Sequence, residues 1–199
     1  MSEITFTTRR GNVVDLENPD PATLVPADIA DGLSRLPRYA GATPQFLSVA
    51  EHLVRTSKLA EGMGEGPEAQ LVALLLDGHE AFGLGDVARP TRDAIVKLMK
   101  YGLGANTVFL LSDPFTRWKD IMDSAIRQMA GIARGTWEEL HPVVYEMKTE
   151  VARVEQDWRK TESQTQLQPM TMIEAATAWL TRYNELQDKI RTLQNGKSV

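Results

Sequence analysis

Asp77, His79 and Glu80 follow directly on four apolar residues in the run Ala73-Leu-Leu-Leu-Asp-Gly-His-Glu-Ala-Phe82. Carboxylates at the inner end of so apolar a segment are costly unless they are paired, hydrogen-bonded or bound to a metal ion. On a helix turning about 100° per residue, Asp77 and Glu80 lie about 60° apart and look into one pocket. His79 lies about 160° from Asp77 and is expected to point elsewhere. Both acids would equally suit the wet end of a helix. His52, in Ser48-Val-Ala-Glu-His52, is the second candidate, on a helix expected to pack against the central one. A lone histidine beside an apolar stripe also reads as a satisfied core residue. Only His52, His79 and His141 are present, which excludes a histidine-rich metal cluster. The chain has no cysteine, so disulfides, thiolate metal sites and thiol nucleophiles are excluded too.

The elements that must position these residues are helices. After Pro26, Ile29, Leu33 and Leu36 recur at helical spacing over 27–36. A second helix is expected from Thr43, with Pro44 at its first position and Phe46, Val49, Ala50, Leu53, Val54 and Leu59 as its apolar stripe. The glycine-rich stretch 61–67 ends it. The most apolar helix, about 68–82, belongs at the centre of an α-fold and is closed by Gly83, Gly85 and Pro90. Further helices are expected at about 91–101, 114–133, 136–160 and 171–193, with breaks at 112–114 and 168–169. The lead-in over 5–22 reads as turns around one short strand at 13–16. In the last helix Ile173, Ala176, Leu180, Tyr183, Ile190 and Leu193 fall near an a/d spacing. That pattern reads as packing on the chain's own domain or as a coiled-coil seam, the seam being broken at Gln187. Trp118, Trp137, Trp158 and Trp179 read as core or rim residues rather than stacking platforms.

Composition sets the outer bounds. A length of 199 residues, 42% apolar and 25% charged, suits one soluble all-α domain spanning 1–199. Fourteen glycines and ten prolines are too few for a linker or a collagen-like chain. A net charge of −5 argues against broad capture of nucleic acid, though it leaves room for a local phosphate pocket. No apolar signal segment stands in residues 1–10, and the longest apolar run, Leu71 to Leu76, is far short of the ~20 residues of a membrane span. A cytoplasmic protein is expected.

A series of spaced motifs adds a resemblance. They are Asn18-Pro-Asp-Pro21, Asp28-Ile-Ala, Leu33-Ser, Arg38-Tyr-Ala-Gly41, Ser48-Val-Ala-Glu-His52, Ala73-Leu-Leu-x-Asp77-x-x-Glu80-Ala-Phe82, Gly85-Asp86 and Arg89-Pro90. Gln168-Pro169 through Ala175 and Trp179-Leu-Thr-Arg-Tyr183 continue them. Over about 7–186 the chain resembles HD-domain phosphohydrolases, nearest to the 5′-deoxynucleotidase-like and phage-type nucleotide hydrolases. The resemblance implies a helical bundle holding one divalent metal through a histidine, an adjacent His-Asp pair and a later aspartate. The metal would lower the pKa of a bound water that attacks phosphorus. By position, His52 would be the first histidine and Asp77 the pair's aspartate. Glu80 would assist proton transfer, Asp86 would be the following acid, and Arg38 would steady the phosphate.

The departures bear on activity. Leu76 stands where the pair's histidine belongs, and Lys148 stands at the later aspartate, in Val144-Tyr-Glu-Met-Lys148 with Glu155 seven residues on. Gly41-Ala-Thr43 replaces the Gly-His-Thr of this branch. Two protein ligands do not hold a catalytic ion where about three are normal. The leading expectation is a homologue that has lost metal-dependent hydrolysis, carries no metal cofactor, and keeps a nucleotide or phosphate pocket around Arg38, His52 and Lys148. The alternatives are an active nucleotide phosphohydrolase with a shifted ligand such as Glu146 or Glu150, using Mn, Co, Mg or Zn, and a protein-interaction module without a pocket. The resemblance also implies a homo-oligomer.

Overall fold

The computed structural model describes residues 4–87, 89–103, 114–161 and 167–196. A two-stranded antiparallel hairpin, β1 (Thr5–Thr7) and β2 (Val13–Asp15), pairs Phe6 with Val14. There follow α1 (Pro26–Arg35), α2 (Val49–Gly62), α3 (Pro67–Leu75), α4 (Arg89–Leu103), α5 (Pro114–Met129), α6 (Arg134–Thr161) and α7 (Met172–Gly196). Short 3-10 turns lie at Pro21–Thr23, Arg38–Gly41 and Gly78–Phe82. The molecule is predominantly all-α, as its hydropathy pattern requires. Among the described residues no helix is long and apolar enough to cross a membrane.

The centre is α3, buried all round, against which α2, α6 and α7 pack. Its apolar character extends into Leu76, but the α-helix stops at Leu75 rather than running to Phe82. The chain tightens into a 3-10 turn from Gly78, where an added Cβ would stand 3.2 Å from Ile126 Cδ1, and Gly83, at φ +97°, closes it in the left-handed region. The hairpin covers this turn: the Phe6 ring meets Phe82 edge-on at 6.5 Å.

α2 begins at Val49, not at Thr43. Ser48 Oγ accepts the Glu51 amide at 3.1 Å, so the Ser48-x-x-Glu51 cap overrides Pro44 as the start signal. The residues before it run extended instead, with Arg38 N donating to Leu47 O and Val49 N to Leu36 O. α7 carries no free seam. Its buried face is Ala175, Trp179, Arg182, Tyr183 and Leu186, seated on α1, α2 and α3, while Ile173 is 79% exposed. Trp179 and Trp158 are core residues, and Trp118 and Trp137 sit half-buried at the rim. The breaking residues Ser112 and Asp113 lie outside the described residues.

α1 crosses the 3-10 turn at Gly32, where an added Cβ would stand 2.9 Å from Ala81 Cβ and 3.0 Å from Ala81 O. Gly32→Ala is therefore expected to cost about 1–3 kcal/mol in urea unfolding, because backbone and not a flexible tip must yield. A cost under 0.5 kcal/mol would show that this contact does not set the spacing of the turn that carries Glu80.

Candidate functional site

The inner face of α6 is spelled by Val144, Met147, Lys148, Val151 and Glu155, turned toward α2 and α3. It delivers Lys148 to the C-terminal end of α3, where Nζ donates to Asp77 Oδ1 at 2.6 Å. Two turns on, fully buried Glu155 accepts from His52 Nδ1 of α2 at 2.9 Å and from the Tyr39 hydroxyl at 3.3 Å. Arg38 Nε stands 3.6 Å from the same carboxylate, and Arg38 Nη1 donates to Asp86 Oδ2 at 3.2 Å. Asp86 also accepts the Tyr39 amide at 3.3 Å. Tyr39 and Ala40 are held at φ 55° and 52°. Left-handed backbone at such residues costs of order 1–3 kcal/mol each and persists only where the surroundings enforce it. Here the Asp86 contact and the Tyr39 hydroxyl, which also donates to Ala152 O, pin the turn from both sides.

The electrostatics follow from this pairing. Burial alone raises the Asp77 carboxyl, but the Lys148 ammonium overcomes it and holds Asp77 well below the usual carboxylate range. Burial works against the Lys148 ammonium too, yet Asp77 lifts it above the ordinary lysine value. Glu80 shows the opposite outcome. Burial, reinforced by Asp77 and Asp86, pushes its carboxyl well above the usual range, and its Oε2 is shut from solvent without a hydrogen-bond partner. Burial and the neighbouring Arg38 lower His52, so its imidazole is favoured neutral, with Nε2 buried and unpartnered. Glu155 stays below its ordinary value despite burial, through His52, Arg38 and Tyr39.

His79 departs from its helical expectation. Because α3 has ended, the 3-10 turn rotates its imidazole so that one donor atom each from Asp77, His79 and Glu80 lies within 4.8 Å of the others. Behind it, Nδ1 meets Asp123 Oδ1 of α5 at 2.9 Å, Lys119 pairs with the same carboxylate, and the Trp118 ring lies edge-on at 6.1 Å.

His52, Asp77, Glu80, Asp86, Arg38 and Lys148 thus converge on one buried network. Leu76 is 2% exposed among apolar neighbours and offers no donor. Glu146 and Glu150 are exposed on the outer side of α6, with Glu150 paired to Arg153 at 2.6 Å, so neither is a shifted ligand. Arg38, expected to steady a phosphate, is instead committed to Asp86 and Glu155. The metal cage that the resemblance implies does not fit these residues: Leu76 and Lys148 stand at two of its four donor positions, the second with an ammonium. Reading the sequence alone missed Tyr39, Asp123 and the partnership of His79. The four-residue step from Lys119 to Asp123 was the available trace of the second, and nothing local announces the first.

Two grooves adjoin the network. One, of about 360 Å³, is lined by Tyr145, Lys148, Thr149, Glu150 and Arg153 among others, and the Lys148 side chain is 20% exposed. The other, of about 670 Å³ between α5 and α6, includes Lys119, Asp123, Arg127, Trp137 and His141. Comparison of the chain with protein-family models and with curated proteins finds no match.

Proposed function

We propose that this chain is a helical-bundle relative of the HD phosphohydrolases that no longer hydrolyses phosphate esters through a bound metal. It binds an anionic phosphate ligand, of the nucleotide class, at Lys148. The observation that carries this reading is the 2.6 Å bond between Lys148 Nζ and Asp77 Oδ1. A tethered ammonium supplies the positive charge that the family takes from an ion, and it leaves no water activated for attack. Lys148 lines the groove with Tyr145 and Thr149, so its remaining donors can meet a phosphate there. The absence of cysteine suits a reducing, cytoplasmic setting.

Elemental analysis of the untreated protein tests the first half, and the expected content is well below one transition ion per chain. Thermal shift tests the second: inorganic phosphate or nucleotides at about 100 times Kd add about 2.7 kcal/mol, or about 5–10 °C for a chain of this size, while Mn²⁺ alone adds nothing. One tightly held ion per chain with phosphate released from deoxynucleotides would overturn the reading. Failure of every phosphate to shift the transition would remove the ligand.

A further inference from the structure

We infer that Asp77, His79 and Glu80 form a three-donor seat for a divalent cation, of a different composition from the family's cage, which Lys148 keeps closed by supplying its own ammonium. Only Asp77 is shared with the set that the resemblance implies. This inference rests on the proposed function in one respect, that the wild-type chain is not loaded with metal.

Three observations carry it. The donor atoms lie within 4.8 Å of one another, and ligands about 2.1 Å from a tetrahedral ion stand about 3.4 Å apart, so small side-chain rotations close the set. Each of its two carboxylates has an unpaired oxygen: Asp77 Oδ2 and Glu80 Oε2 are buried and accept nothing, a costly state that a cation would relieve. His79 is already oriented as a ligand. Its Nδ1 is engaged by Asp123, which fixes the ring and leaves Nε2 as the basic nitrogen, the carboxylate–histidine arrangement found behind metal-bound imidazoles.

One imidazole and two carboxylates suit Zn²⁺, Co²⁺, Mn²⁺ or Fe²⁺ with positions left open. In the wild type the ammonium satisfies Asp77 and repels a second cation. Its removal leaves the same donors with no positive charge among them.

The test is Co²⁺ binding, followed by visible absorbance and by calorimetry, on wild type, Lys148→Met and Lys148→Gln, each first checked for native far-UV dichroism. Either substitution is expected to tighten Co²⁺ binding at least tenfold and to make the melting temperature rise with Co²⁺. Adding His79→Ala is expected to abolish that gain, whereas adding His52→Ala is expected to spare it. If neither Lys148 variant folds, the wild type at millimolar Co²⁺ decides: weak uptake that His79→Ala removes supports the seat. No uptake in any of these proteins overturns it. So does uptake that survives His79→Ala, or uptake that His52→Ala destroys. Stoichiometric metal in the purified wild type would refute the proposed function and the closing role of Lys148 together, and His79→Ala would then judge the donor set alone.

Discussion

Lys148→Met is expected to lower the free energy of unfolding by about 3–5 kcal/mol near neutral pH, because it strands a buried carboxylate whose one strong partner is gone. Asp77 is 4% exposed and its second oxygen already accepts nothing. Asp77→Asn in the same chain should restore most of the loss, since an uncharged amide carries no ionic desolvation cost, and the double-mutant cycle isolates the pair. The pH dependence gives a further signature. Asp77 titrates below its ordinary value in the folded protein, so the stability it contributes is complete above about pH 4 and is lost as pH falls toward the depressed folded value. Lys148 titrates above its ordinary value, so its contribution is complete below about pH 10 and is lost only as pH climbs through the raised one. In the Met variant, acid instead protonates the stranded Asp77 and removes the penalty. Urea unfolding curves of wild type and variant should therefore draw together as pH falls, first as the stranded Asp77 is protonated and then, below about pH 4, as the wild type loses its own ionic contribution. A deficit that is unchanged in acid would assign the loss to packing of the lysine stem and not to the ion pair.

Periodicity located the helices that bury ordinary apolar stripes. Pro26 with Ile29 and Leu33 marks α1 within a residue, and the run from Leu71 marks the central helix. It failed where a polar interaction outweighs hydropathy. Ser48 caps α2 by accepting the Glu51 amide, which Pro44 concealed. On α7, Arg182 is buried because Ser57, Gln70 and Glu61 receive its guanidinium, so the inward face includes the one residue type a hydropathy pattern sets outside. The site shows the same division. Asp77 and Lys148 could be set opposite one another through the spaced motifs of the resemblance, and they do meet. His79 could not, because its direction depends on where α3 gives way to a 3-10 turn, and Gly78 alone does not fix that point. Tyr39 was equally out of reach: its left-handed backbone is enforced by Asp86, 47 residues away.

Glu155→Ala should be at least as damaging as loss of Lys148, costing about 4 kcal/mol, for a reason that bears on the ligand site as well as on stability. Glu155 is the only carboxylate among the described residues that His52, Arg38 and Tyr39 all approach. Its removal leaves the His52 ring with both nitrogens unpartnered in the interior and Arg38 balanced by Asp86 alone. Glu155→Gln keeps an acceptor but not the charge, so it should recover about half of the loss. Glu155 and Lys148 share one face of α6, two turns apart, so the network around Glu155 also sets the height at which Lys148 meets Asp77. Phosphate binding, measured by calorimetry below the variant's own transition, should accordingly weaken with Glu155→Ala. Asp188→Ala, whose carboxylate pairs with Arg191 at an exposed position on α7, should stay within about 0.5 kcal/mol of wild type and keep the binding. A Glu155→Ala variant that unfolds within 1 kcal/mol of wild type would mean that α6 is held by Val144, Met147 and Val151 alone. The ion pairs would then be passengers on an apolar interface rather than its register.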